Sequence, residues 1–164
     1  MKIMVTTDTL KQIEFMKALP EEILERIAVL AKEFEMVPGV TLQEQGVRQE
    51  LVYMLIKGEV SLNCQGADGK ILTLDTLKAG QTFGVSGLLG MEGSEATFTA
   101  VSKTHCTFLE LSAAEMLEYF RSDYEVGHVL MDRVVDIFKS RRKLHSKQFL
   151  ESLASHPAIA SQSE

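Results

Sequence analysis

Three patterns of apolar and polar positions follow one another along the chain. Over residues 1–37 apolar side chains recur at helical spacing: Leu10, Ile13, Phe15 and Met16 lead to Leu19, and Ile23, Leu24, Ile27, Leu30 and Ala31 follow Pro20. Pro20 stands where helices start, because its missing N–H is one of those the first turn leaves unpaired. Glu21, Glu22 and Glu25 keep outside the apolar stripe, near the positive end of the helix dipole. The block reads as N-terminal helices packed on a core. Over residues 38–111 the period shortens. Leu51–Ile56, Val60–Cys64, Ile71–Leu74 and Cys106–Leu111 are short apolar or alternating runs, separated by turn signals at Pro38-Gly39, Lys57-Gly58-Glu59, Asp68-Gly69 and Lys78-Ala79-Gly80. Asp68-Gly69 predicts a hairpin, since such turns need positive φ. Six to eight strands at this spacing predict an antiparallel barrel or jelly roll.

Residues 112–153 return to the helical period. Ser112 and Glu115 form a capping box. A second helix is expected from Ser122-Asp123 past Leu144, with Val126, Leu130, Val134, Ile137, Phe138 and Leu144 on its stripe. Met131, Val135 and Phe149 widen that stripe beyond what one helix buries alone, which predicts a partner helix and a homodimer through contacts at Leu130, Val134, Ile137 and Phe138. Residues 154–164 read as a tail. The expected class is α+β, mainly β: a β-roll with N-terminal helices and a long C-terminal helix.

Composition narrows the functions. The 164 residues are 45% hydrophobic and carry a net charge of −6, which argues against a generic nucleic-acid or membrane-surface binder. The N-terminus has no signal-like apolar core, and no apolar run is long enough to span a bilayer, so a soluble cytoplasmic protein is expected. Cys64 and Cys106 are too few for a disulfide framework; as strand cysteines they are read as inert rather than as a redox pair. His105, His128, His145 and His156 show no metal-ligand spacing, and the sequence has no nucleophile-elbow, phosphate-loop or zinc-protease motif. Neither an enzyme nor a metal site is expected. The basic run from Lys139 to Lys147 is read as a solvated helix face with cations near the helix C-terminus.

Certain residues carry a resemblance. Leu19-Pro20-Glu21-Glu22, then Tyr53-x-Leu55-Ile56-x-Gly58-x-Val60, Asp68-Gly69, Gly80-x-x-Phe83-Gly84, Gly87-Leu88-Leu89 and Ala96-Thr97-x-x-Ala100 appear in this order. Over residues 18–145 the chain resembles the cyclic nucleotide-binding domain of Crp/Fnr regulators and of protein kinase A regulatory subunits. The resemblance implies a jelly roll (a double-stranded β-helix) with a phosphate-binding cassette at 83–97. In that family a short helix offers backbone N–H groups to the cyclic phosphate, a glutamate after Phe-Gly binds the ribose, and an arginine nine residues later pairs the charge. Those two places hold Val85 and Ser94 here, and Glu92 and Glu95 flank the second. Losing one partner of a buried charge pair costs on the order of 3–5 kcal/mol, roughly a hundred- to several-thousand-fold in affinity.

The resemblance therefore implies a regulatory or sensor domain with a degenerate cassette that does not bind cAMP tightly. Phe83, Gly84, Val85, Ser86, Gly87, Leu88, Ser94 and Thr97 are its expected pocket lining. No cofactor is expected. One alternative is an apolar pocket of Val85, Leu88, Leu89, Phe98 and Met54 that takes haem or another apolar ligand, with His105 or His128 as an axial ligand. Others are a protein-interaction scaffold with a vestigial pocket, and a cAMP or cGMP receptor with a compensating cation from Arg48 or the long helix. About 20 residues follow Leu144, fewer than the DNA-binding module of the Crp/Fnr regulators, so sequence-specific DNA reading is not expected.

Overall fold

The period-two runs pair into two four-stranded antiparallel sheets in the computed structural model, which describes residues 4–66, 68–89 and 94–154. One sheet holds β1 (Lys32–Met36), β8 (Cys106–Ser112), β3 (Leu51–Lys57) and β6 (Thr82–Phe83), in that spatial order. The other holds β2 (Thr41–Gln43), β7 (Thr99–Ser102), β4 (Val60–Gln65) and β5 (Ile71–Leu77). The Asp68-Gly69 turn joins β4 to β5 with Gln65 opposite Ile71, and Gly69 takes φ +80° as such a turn requires.

Strand alternation divides the apolar residues between two cores. Tyr53 and Leu55 of β3 and Cys106 and Phe108 of β8 point between the sheets, where they meet Val60, Leu62, Leu77, Phe83, Phe98 and Ala100. Val52 and Met54, with Leu109 and Leu111, point the other way, onto the helices. Inside the roll Tyr53 lies on Phe83 with centroids 5.0 Å apart, and Phe34 lies on Phe108 at 5.2 Å. Each such pair contributes about 0.5–1.5 kcal/mol beyond its area.

The helical blocks are revised in detail. The N-terminal block was expected to be helical as far as residue 37, but Lys32–Met36 is a strand paired with β8, Phe34 opposite Phe108. Its alternation of Glu33 and Glu35 with Phe34 and Met36 suits a half-buried edge. Ahead of it stand α1 (Thr7–Leu10), a 3-10 turn at Glu14–Met16 and α2 (Glu21–Leu30), which follows Pro20 as expected. At the other end Ser112 caps α3 (Ala113–Ser122), its hydroxyl accepting from the Glu115 N–H at 3.3 Å. Asp123 breaks the chain before α4 (Tyr124–Ala154), and its carboxylate accepts from the Val126 N–H. The tail beyond 154 lies outside the described residues.

The stripe of α4 is turned inward. Leu130 and Val134, expected between two copies, are fully buried in the chain's own helix-side core, and Ile137 and Phe138 pack half-buried against it. Much of the surplus apolar surface is therefore covered within one chain. Tyr124, Val129 and Val135 are the large apolar side chains that α4 leaves exposed among those described.

Candidate functional site

The cassette begins where β6 ends. Gly84 turns the chain at φ +83°, and Val85–Leu89 then coil into a short 3-10 helix. This turn lies directly on the segment entering β3. A Cβ on Gly84 would stand 2.4 Å from the Leu51 carbonyl oxygen, and one on Gly87 would stand 2.5 Å from that of Gln49. Only hydrogen fits at either place. The buried Gln49 side chain braces the same segment, its Nε2 donating to the Leu51 carbonyl at 2.5 Å.

The return limb, from residue 94, is held by the same stretch. The Gln49 N–H donates to the Ser94 carbonyl at 2.9 Å, Arg48 bridges Glu95, and Ala96 exchanges backbone bonds with Gly46 and Val47 at 2.8 Å. Residues 46–51 are thus the floor under both limbs.

The expected lining residues are brought to one region, but they do not share one face. Val85 is 2% exposed and, with Leu88, packs among Met54, Leu109 and the helices. Phe83 and Phe98 lie in the separate core between the sheets. Leu89 is 41% exposed. The five side chains of the apolar-pocket alternative are therefore divided between two cores and the surface. Ser94, Ala96 and Phe98 point inward, whereas Glu95 and Thr97 are exposed. Thr97 is corrected from a lining residue to a surface one, because three steps along an extended limb put it on the opposite side from Ser94. Glu92 lies outside the described residues. Arg48 is exposed and opposite Glu95, so its side chain emerges on the same side of the bridge as that carboxylate.

The remaining candidates are dispersed. His105 and Glu35 face each other at the surface, 3.7 Å apart, and His128 and Asp132 do so at 3.6 Å along α4. Cys106 is buried in one sheet with its thiol on the Glu59 carbonyl, and Cys64 belongs to the other sheet. The basic run also needs correction. Because α4 continues to Ala154, the run is not at a helix C-terminus; Lys139, Arg142 and Lys143 are exposed, but Arg141 turns inward and donates to the Thr82 carbonyl. Spacing held the signal for Arg141: it continues the inward row Leu130, Val134, Ile137 at the next helical step.

Residues 33–123 match the family model described as cyclic nucleotide-binding domain. Among curated proteins, the cAMP-activated global transcriptional regulator Vfr of Pseudomonas aeruginosa is 32% identical over 114 residues, which is 68% of this chain and 53% of that protein. The chain thus spans about half the length of that relative. A crystal structure of a cyclic nucleotide-binding domain from Methylobacillus flagellatus superposes with a TM-score of 0.72 at 15% identity, covering 90% of this chain and 82% of that one. The regulatory subunit of a cAMP-independent protein kinase A from Trypanosoma cruzi, bound to guanosine, superposes at 0.63 with 17% identity, covering 95% of this chain and 46% of that one. At such identities these two establish the shared fold. No helix among the described residues is long and apolar enough to cross a membrane.

Proposed function

The chain belongs to the cyclic nucleotide-binding domain family, and from that premise we propose that it is a non-catalytic regulatory module which does not hold cAMP tightly and which signals through α4. One observation carries the reading. Where the family resemblance puts the ribose-binding glutamate and the phosphate-binding arginine, this chain has Val85 and Ser94, both at most 3% exposed. A cyclic phosphate there loses its ion pair, and no basic residue stands in the sequence between Lys78 and Lys103. Regulation by occupancy is a shift between populations of two α4 positions, so it needs only a ligand or partner that prefers one of them. The guanosine-bound kinase subunit is a case in which a protein of this fold takes something other than a cyclic nucleotide.

A second reading, an interaction scaffold, is favoured by the aromatic filling of the roll. The ring of Phe83, the residue that leads into the cassette, is stacked on Tyr53 and edge-on to Phe108. A melting-temperature screen of nucleosides, cyclic nucleotides and haem separates the two: a shift with one of them supports the module, and none supports the scaffold.

Output through α4 further implies a homodimer, now assigned to the exposed Val135 with the half-buried Met131 and Phe138 beside it rather than to Leu130 and Val134. Light scattering at tens of micromolar protein is expected to give a dimer mass, and Val135→Lys a monomer that keeps its fold. Val134→Ala is expected to cost about 2 kcal/mol in chemical denaturation while leaving the mass unchanged. A monomer mass for the parent chain contradicts the dimer.

A further inference from the structure

Apart from the cassette, α4 and the roll enclose a cleft of about 560 Å³, within the roughly 300–1,000 Å³ typical of small-molecule sites. Thr82 lines it from the helix side of its sheet, since it pairs with Met54, whose side chain lies in the helix-side core. The two sides of the cleft are joined by arginines of α4. Arg133 donates to the Phe15 carbonyl at 2.7 Å, and Arg141 donates to that of Thr82.

Two features there are unfinished. The Arg141 side chain is half-buried, and its desolvation lowers its pKa to about 10, so it remains a cation near neutral pH. It spends one donor on a neutral carbonyl, and among the described residues no carboxylate lies within ion-pair distance; Asp75 attracts it from farther off. Among the described residues no other acceptor meets its fork of N–H donors. Next to it Thr82, 4% exposed, has a buried hydroxyl with no hydrogen-bond partner. Both features donate hydrogen bonds, so what they lack is an acceptor, and a carboxylate matches the planar fork best.

The surrounding charge decides what else the ligand carries. Glu14, Asp75 and Asp136 balance Lys17, Arg133 and Arg141 around the cleft. A multiply charged phosphate is opposed by three carboxylates there and has nothing to offer them, whereas a ligand with one charge of each sign can turn its cation to one of them. Phe15, Leu77 and Ile137 supply the apolar part of the wall.

We propose that this cleft is a binding site for an apolar α-amino acid, its carboxylate on Arg141 and the Thr82 hydroxyl and its ammonium on Asp75. The site is independent of the cassette, and its occupant takes the donors of Arg141 that the Thr82 carbonyl leaves without an acceptor, which gives it purchase on α4.

The test is calorimetric titration and melting of the full chain with the L-amino acids, L-phenylalanine first, beside phenylacetate, phenethylamine, inorganic phosphate and cAMP. The expected result is saturable binding of an apolar amino acid, roughly tenfold tighter than its analogue lacking either charge. Thr82→Val keeps the ligand-free melting temperature yet weakens that binding roughly tenfold, because it deletes a hydroxyl that only the ligand satisfies. Asp75→Asn narrows the gap between L-phenylalanine and phenylacetate. The proposal is overturned if no L-amino acid binds, if phenylacetate or phosphate binds as tightly as the amino acid, or if both variants bind like the parent. In the Val85→Glu, Ser94→Arg variant, which is expected to bind cAMP, added cAMP leaves amino-acid affinity unchanged; competition between them overturns the independence of the two sites.

Discussion

Gly84→Ala is expected to destabilise the chain by about 3 kcal/mol, of which about 1–2 comes from an L-residue in the left-handed region and the rest from overpacking. The overlap is with backbone: the new methyl would stand 2.4 Å from the Leu51 carbonyl oxygen. Relief requires β6 to move off β3, where Tyr53 pairs Phe83. For a chain of this size the loss lowers the melting temperature by roughly 6–12 °C. Gly39→Ala is the internal control. Gly39 has nearly the same φ, +84°, but a Cβ there meets nothing within 4 Å, so only the conformational part, about 1 kcal/mol, is expected. Chemical denaturation of both variants measures the difference. Equal losses would show that the cassette does not rest on the 49–51 floor.

The second large effect is a gain. Val85→Glu with Ser94→Arg restores both charges at the positions given by the family resemblance, and cAMP affinity is expected to rise by roughly a hundred- to several-thousand-fold. Val85→Glu alone should do harm. Its carboxylate enters the core of Met54, Leu88 and Leu109 with no cation to meet it, at a cost on the order of 3 kcal/mol. Ser94→Arg is opposed by the buried setting of residue 94, which the attraction of the exposed Glu95 beside it offsets only weakly. The double variant should therefore melt low when empty and recover when cAMP is added, which calorimetry and a melting curve read together. A folded double variant indifferent to cAMP would show that the register placing Val85 and Ser94 is wrong.

The contrast between what could be read from the sequence and what could not is physical. Local chemistry was legible: the Ser112 cap, the Asp68-Gly69 hairpin and the start of α2 after Pro20 each depend on a few neighbouring residues. So was the tight turn after β6, because Gly84 and Gly87 answer a steric demand that only glycine meets. Sidedness was less legible. Phe34 alone continues the helical stripe of α2, and the alternation of Glu33 and Glu35 with Phe34 and Met36 is too short to stand out as a strand without the pairing with β8. Leu130 and Val134 suit a second copy as well as their own core, and the choice depends on where α4 docks. Thr97 follows Ser94 closely in sequence, yet the bonds of the return limb to residues 46–49 turn the two apart. Arg141 was absorbed into a run of surface cations, although its spacing matched the inward row.

The central claim is that a cyclic phosphate finds no cation in this cassette. It is tested most directly by calorimetric titration of the unmodified chain, freed of bound small molecules by unfolding and refolding, with cAMP. The account predicts no saturable heat at tens of micromolar protein. Binding at micromolar affinity or tighter would contradict it, and would point to Arg48, exposed across from Glu95, as the cation that replaces the missing one.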